Sequence, residues 1–168
     1  MNATDWTIGP AAPSDVPDLL GMIKGLAEYE RLGHLVVADE ARLHEALFGE
    51  RPGVEALIAR ESGSSQSVAG FALFFHTFST FLGRRGLWLE DLFVYPQFRG
   101  RGLGRRILSE LAALARARHC GRFEWAVLDW NAPAIGFYEK MGATLLPDWR
   151  IARVTGDALT RFGVDESA

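Results

Sequence analysis

The chain of 168 residues has a single cysteine, Cys120, so it carries no internal disulfide and no cysteine-rich metal site. No apolar run approaches the roughly 20 residues that a membrane-spanning helix needs. The opening segment, MNATDWTIGPAAPSDVPDLL, has neither the basic start nor the continuous apolar stretch of a secretory signal. Basic charge is not in excess: 18 lysines and arginines face 21 acids, for a net charge of −3, which argues against a general nucleic-acid binder with its broad basic face. The four histidines, His34, His44, His76 and His119, are not spaced as metal ligands. There is no internal repeat and no long low-complexity linker. These absences predict a cytoplasmic protein with no membrane, nucleic-acid or metal partner. With 48% hydrophobic and 23% charged residues, the composition is that of a soluble globular protein. The length predicts one domain over residues 1–168, burying about two-thirds of its unfolded surface.

What is present reads as alternating element types. DWTIGPA predicts a strand, and PSDVPDLLGMIKGLAEYERL a helix, with Ser14 or Asp15 as cap and Leu19, Leu20, Ile23, Leu26 and Ala27 at helical spacing. DEARLHEALFG predicts a short helix ending at Gly49. VEALIAR and VAGFALFFHTF form an antiparallel pair joined by the loop Glu61–Val68, and GLWLEDLFVYP a third consecutive strand stopped by Pro96. RRILSELAALARARHC carries Ile107, Leu108, Leu111, Leu114 and Ala115 on one face, with Gly121 as its terminator and Cys120 a small thiol closing the helix. RFEWAVLDW predicts a strand. Asn131 caps the helix APAIGFYEKM, with Pro133 in its first turn and Gly142 past its end. WRIARVT predicts a last strand. An antiparallel run followed by a strand–helix–strand crossover gives an α/β fold with a mixed sheet. A splay where the pairing changes direction is a natural ligand slot.

The segment EDLFVYPQFRGRGLGRR sets Gly100, Gly102 and Gly104 among Arg99, Arg101, Arg105 and Arg106, directly after an apolar strand. Absent side chains let backbone amides approach a ligand closely, and four arginines point to phosphate. A nucleotide P-loop is excluded, because no G-x-x-x-x-G-K-[ST] occurs and the segment holds no lysine. A dinucleotide fingerprint fits poorly: the third glycine position of G-x-G-x-x-G is Arg105. Glu124 does lie where a ribose-binding acid would, but too little chain follows it for further parallel units. The remaining pattern is R-x-x-G-x-G, met by Arg99, Gly102 and Gly104, in which successive N–H groups and a helix N-terminus cradle a pyrophosphate.

That pattern resembles the acetyl-CoA motif of the GNAT N-acetyltransferase superfamily. With IKGLAEYE, LWLEDLFVYPQFRGRGLG and VLDWNAPAIGFYEKMGA in order, the chain is similar to the diamine acetyltransferases, the spermidine/spermine and thialysine group, from the first strand to Trp149. The resemblance implies the GNAT acyl-CoA N-acyltransferase fold, antiparallel N-terminal strands followed by a βαβ half that binds acetyl-CoA, and a homodimer. It implies acetyl transfer to a primary amine of a small cationic substrate, a diamine or polyamine first and a lysine-like amino acid such as thialysine second. A protein N-terminal or lysine acetyltransferase is the alternative enzyme. A non-catalytic acyl-CoA-binding regulatory domain is the alternative of another class.

Acetylating an amine requires that an ammonium lose its proton, that the thioester oxygen find a donor, and that the departing thiolate find a proton. The resemblance assigns the first task to Glu90, directly or through ordered water. Strand alternation predicts Glu90 on one face and Asp91 on the other, with Asp91 a rim acid paired with nearby arginines. The oxygen donor is expected to be a backbone amide around Phe93 or Val94, within a stretch from Leu92 to Val94 that lies along the cofactor, and the resemblance makes Tyr138 the proton donor. Acetyl-CoA is expected along Arg99, Gly100, Arg101, Gly102, Leu103, Gly104 and Arg105, with Asn131, Pro133 and Ala134 along its pantetheine arm. The amine is expected against Tyr29, Glu30, Glu90, Glu124, Trp125 and Ala126. Where the diamine enzymes carry a longer acidic loop, this chain has only LLPDW, in which Asp148 stands as the replacement acid. No H-x-x-x-D occurs, so the acetyltransferase mechanism built on a histidine base is not expected.

Overall fold

The computed structural model describes residues 6–63 and 67–163. Asp5, at the start of the first predicted strand, and the middle of the loop Glu61–Val68 lie outside these residues. Two compact units divide the chain, residues 1–128 and 129–168.

In the first unit, strand β1 (Trp6–Pro10) leads through a 3-10 turn into helix α1 (Val16–Tyr29), followed by α2 (Glu40–Phe48). Asp15 makes this entry: it accepts the Ala12 N–H at 2.8 Å and pairs with Arg60 of the sheet, though only 6% exposed. A buried carboxylate is tolerable only with such partners. Asp39 caps α2 by accepting the Arg42 N–H at 2.8 Å. Strands β2 (Glu55–Glu61), β3 (Val68–Ser79) and β4 (Arg84–Val94) follow, then α3 (Leu103–Ala117) and β5 (Arg122–Trp125). The sheet runs in chain order, antiparallel from β1 to β4 and parallel between β4 and β5. The predicted α/β mixed sheet is therefore present, with its change of direction at the predicted crossover.

One face of the sheet meets α1 in a core of Leu19, Met22, Leu47, Ala56, Ile58, Phe71, Leu73 and Phe93. On the other face Phe74 is buried beneath Arg118, at the end of α3. Leu103, Ile107, Leu108, Leu111 and Ala115 give α3 a continuous buried stripe, each large side chain contributing about 1.5–3 kcal/mol.

Both long helices, closing at Tyr29 and Ala117, end three residues before the ends of their predicted segments, Leu32 and Cys120. At α1 the Arg31 N–H reaches the Glu28 carbonyl and Leu32 the Ala27 carbonyl; at α3 the His119 N–H reaches Arg116 and Cys120 reaches Ala115. Each is a Schellman closure, with Arg31 (φ 62°) and His119 (φ 55°) in the left-handed position that usually falls to glycine. Gly121 is thus not the terminator of α3, and Cys120 lies beyond the helix.

The second unit holds α4 (Ala132–Lys140) and α5 (Gly156–Arg161). Asn131 caps α4 as predicted, its side-chain oxygen accepting the Ala134 N–H at 3.4 Å. The predicted strand Trp149–Thr155 is not formed. That segment is irregular and exposed, and RFEWAVLDW is extended only over Arg122–Trp125. Alternating apolar residues make a strand only where a neighbouring edge satisfies their backbone groups.

Candidate active site

The register between β3 and β4 decides where the acids stand. Leu73 faces Asp91 and Phe74 faces Leu89, so Glu90 is the extra residue of a β-bulge. A bulge interrupts the pleat and re-aims side chains, and the expected separation of Glu90 and Asp91 onto opposite faces does not hold. Glu90 accepts the Trp88 indole N–H at 2.9 Å. Asp91 is half-buried and is not the arginine-paired rim acid that alternation suggests; no arginine pairs with it among the described residues. Burial first, then the charges of Glu90 and Glu30, push its carboxyl up to about 6. Burial also raises Glu30, the cap residue closing α1. Three carboxyl groups thus converge where the end of α1 meets the bulge. Sequence reasoning missed Asp91; the signal lies in cross-strand pairing, which no local pattern reports.

Beyond the bulge one edge of β4 is open. Strand β5 pairs with Gly86–Leu89 and stops, so no described strand pairs with that edge over Glu90–Val94. This is the slot expected where pairing changes direction. It leaves the outward-facing backbone groups of Leu92 and the Val94 N–H for a ligand. Phe93, expected to share this role, is the hydrogen-bonded partner of Phe71 and turns its N–H and carbonyl toward β3.

The glycine loop follows immediately. Gly100 (φ 74°) and Gly102 (φ 81°) both need the left-handed conformation, and a Cβ at either would meet nothing within 4 Å. Gly104 lies inside α3 without this need. Arg106 is the first residue of α3 to bond back, to the Gly102 carbonyl at 3.0 Å. The amides of Leu103, Gly104 and Arg105 are left outside the helical ladder, with the positive end of the helix dipole behind them. That is a fitting cradle for an anion such as pyrophosphate. Arg99 turns away from it: its Nε donates to the Val94 carbonyl at 2.8 Å, and its guanidinium lies over the rings of Tyr29 (5.1 Å) and Phe93 (5.5 Å). Arg101 lies over Phe98 at 5.9 Å.

On β5, Glu124 shares a rung with Trp88 and pairs with Arg122 at 2.7 Å. Trp125 pairs with Leu89 and stacks near Phe123, on the strand's other face. Ala126 is exposed just past the strand. In the second unit Asn131 is buried at the start of α4 with Pro133 and Ala134 in its first turn. Tyr138 packs against Phe137, with ring centroids 5.4 Å apart. Asp148 is exposed. Among the described residues no group of histidine, cysteine and acids could hold a metal ion, and no helix is long and apolar enough to cross a membrane.

A mixed sheet, open beside a bulged strand and followed by a glycine turn with free helix amides, is an arrangement suited to acyl transfer. The model of the acetyltransferase (GNAT) family matches residues 19–143, and the chain belongs to that family, whose acetyl donor is acetyl-CoA. It is similar to the thialysine N-epsilon-acetyltransferase of Mus musculus, 39% identical over 90% of this chain and 94% of that one. The L-ornithine N5-acetyltransferase of Arabidopsis thaliana is 35% identical over 89% of this chain and 84% of its own length. Among solved structures, an integron cassette protein from the V. cholerae mobile metagenome superposes with a TM-score of 0.78, covering 95% of this chain and 98% of that one at 28% identity. The chain is an N-acetyltransferase.

Proposed function

We propose that this acetyltransferase acetylates a terminal primary amine of a small cationic molecule, by direct attack of the amine on the thioester, and that residues 1–168 act as one acetyltransferase domain. Acetyl-CoA supplies the activated acetyl group. The amides of Leu103, Gly104 and Arg105, reached over Gly100 and Gly102, hold its pyrophosphate. Asn131, Pro133 and Ala134 flank its pantetheine arm. Glu90, oriented by the Trp88 N–H, takes the proton from the ammonium, directly or through water. The Val94 N–H, on the open edge of β4, donates to the thioester oxygen, and the Tyr138 hydroxyl gives its proton to the departing sulfur. Tyr29, Glu30, Glu124, Ala126 and Asp148 complete the amine site, while Trp125, on the other face of β5, backs it through Phe123. The protein works in the cytoplasm as a homodimer.

The single observation that carries this reading is the bulge, which sets Glu90 and Asp91 together beside Glu30, next to an open strand edge. Three carboxyl groups favour a cation, and the open edge admits a thioester beside it. Relatives named for thialysine and ornithine support the amine class. The test is an acetylation assay over a panel of amines, with released CoA as readout. Turnover of small molecules bearing a terminal amine is expected. CoA binding without turnover of any amine would favour a regulatory acyl-CoA-binding domain. Turnover confined to peptides would favour a protein acetyltransferase.

A further inference from the structure

The ion pair on β5 joins Glu124 to an arginine, Arg122, that the amine chemistry above does not use. Arg122 stands on the rung of Gly86 and Glu124 on the rung of Trp88, on the face that carries Trp88 and Glu90. The stem of Arg122 crosses β4 at Gly86: a Cβ there would lie 3.2 Å from its Cγ, 3.4 Å from its Nε and 2.5 Å from the Thr77 hydroxyl. Only a residue without a side chain leaves that passage. Its Nε then reaches Glu124, which stands on the Trp88 rung, at 2.7 Å. No other protein acceptor among the described residues holds the guanidinium, and both side chains stay accessible, 40% and 29% exposed. An acid and an arginine held side by side match a zwitterion, with the carboxylate to the guanidinium and the ammonium to the acid.

The spacing fits. The Glu90 carboxylate sits 2.9 Å from the Trp88 indole nitrogen, and Gly86, where the Arg122 stem crosses, lies two regular strand residues before Trp88, about 7 Å away. A stem of roughly six bonds between a terminal amine and a carboxylate is also about 7 Å long when extended. Between the two ends lies the Trp88 indole, braced by Phe75 at 6.5 Å, an apolar floor for methylene groups.

We propose that Arg122 and Glu124 read the zwitterionic head of an α-amino acid whose side chain ends in a primary amine, and so select such amino acids over diamines. This rests on the reading of Glu90 as the amine end of the site. A diamine of the same length offers Arg122 only a second cation, which leaves the guanidinium unpaired and repelled.

The experiment compares kcat/KM for L-ornithine, L-ornithine amide and 1,4-diaminobutane on the unmodified enzyme and on Arg122→Gln. The unmodified enzyme should favour ornithine, and the amide, which lacks the carboxylate, should fall toward the diamine. In Arg122→Gln the ornithine-to-diamine ratio should drop roughly ten- to a hundredfold, as for a lost charge-assisted contact. The amide tests the same point if that variant fails to fold. Preference for the diamine, or an equal loss on both substrates in Arg122→Gln, overturns this proposal and leaves the amine-acetylating function standing. Absence of turnover on every small amine sinks both.

Discussion

At the scale of single residues, Asp91 makes the sharpest statement about pH. Its carboxyl, pushed up to about 6 by burial and by Glu90 and Glu30, sits above the aspartate value of about 3.9 in an unfolded chain. Between those values the folded chain keeps a proton that the unfolded chain has lost. The group's contribution is therefore full below about pH 4 and is lost as pH rises through about 6. Asp91→Asn stays neutral and removes this slope. Between about pH 5 and about pH 7.5, denaturant unfolding should show the variant gaining roughly 1–1.5 kcal/mol on the parent. A difference that does not vary with pH would mean that Asp91 ionises as it does in water. Tyr138 is separable from its packing in the same way. Tyr138→Phe keeps the ring contact with Phe137 and deletes only the proposed proton donor. Under conditions where chemistry limits turnover, kcat should fall by about 10²–10⁴ with little change in acetyl-CoA affinity. An unchanged kcat would make the tyrosine a packing residue.

At the scale of elements, the turn between β4 and α3 is legible in the sequence alone, because its glycines and the helical stripe behind it are local signals. Gly102 is the most exacting of them. A Cβ there meets no neighbour, but φ is 81°, which a β-branched residue adopts only under strain. Gly102→Val should twist the first turn of α3 and misdirect its free amides, so calorimetry should show acetyl-CoA affinity falling far more than in Arg106→Ala. Unchanged affinity in a folded Gly102→Val protein would remove the pyrophosphate assignment. Helix ends were less legible, since a Schellman closure with arginine or histidine at the left-handed position has no glycine to mark it. That predicts a gain: His119→Gly relieves the strain at φ 55° and should stabilise the fold by about 0.5–1 kcal/mol in denaturant unfolding. A loss would show that the imidazole contributes more than its backbone costs. The bulge at Glu90 was invisible for a deeper reason. Register is a property of two strands, and the one-residue slip that brings Asp91 to the site leaves no trace in either strand alone.

At the scale of the whole molecule, the one element that sequence alternation promised and the fold does not deliver is the strand Trp149–Thr155. Trp149, Ile151 and Phe162 are 78%, 71% and 73% exposed. Side chains of this size stabilise by about 1.5–3 kcal/mol each when buried, so each is a gain that a partner surface could supply. A second copy is the partner that the proposed homodimer supplies, and an alternating segment without a neighbour gains its missing hydrogen bonds when it meets one. The protein should therefore sediment as a dimer at micromolar concentration. Trp149→Ser with Ile151→Ser should shift it toward the monomer, while the first unit, whose core uses neither residue, keeps its cooperative unfolding. Sedimentation of the unmodified chain as a monomer throughout that range would sink the dimer. A dimer indifferent to both substitutions would place its interface on another surface.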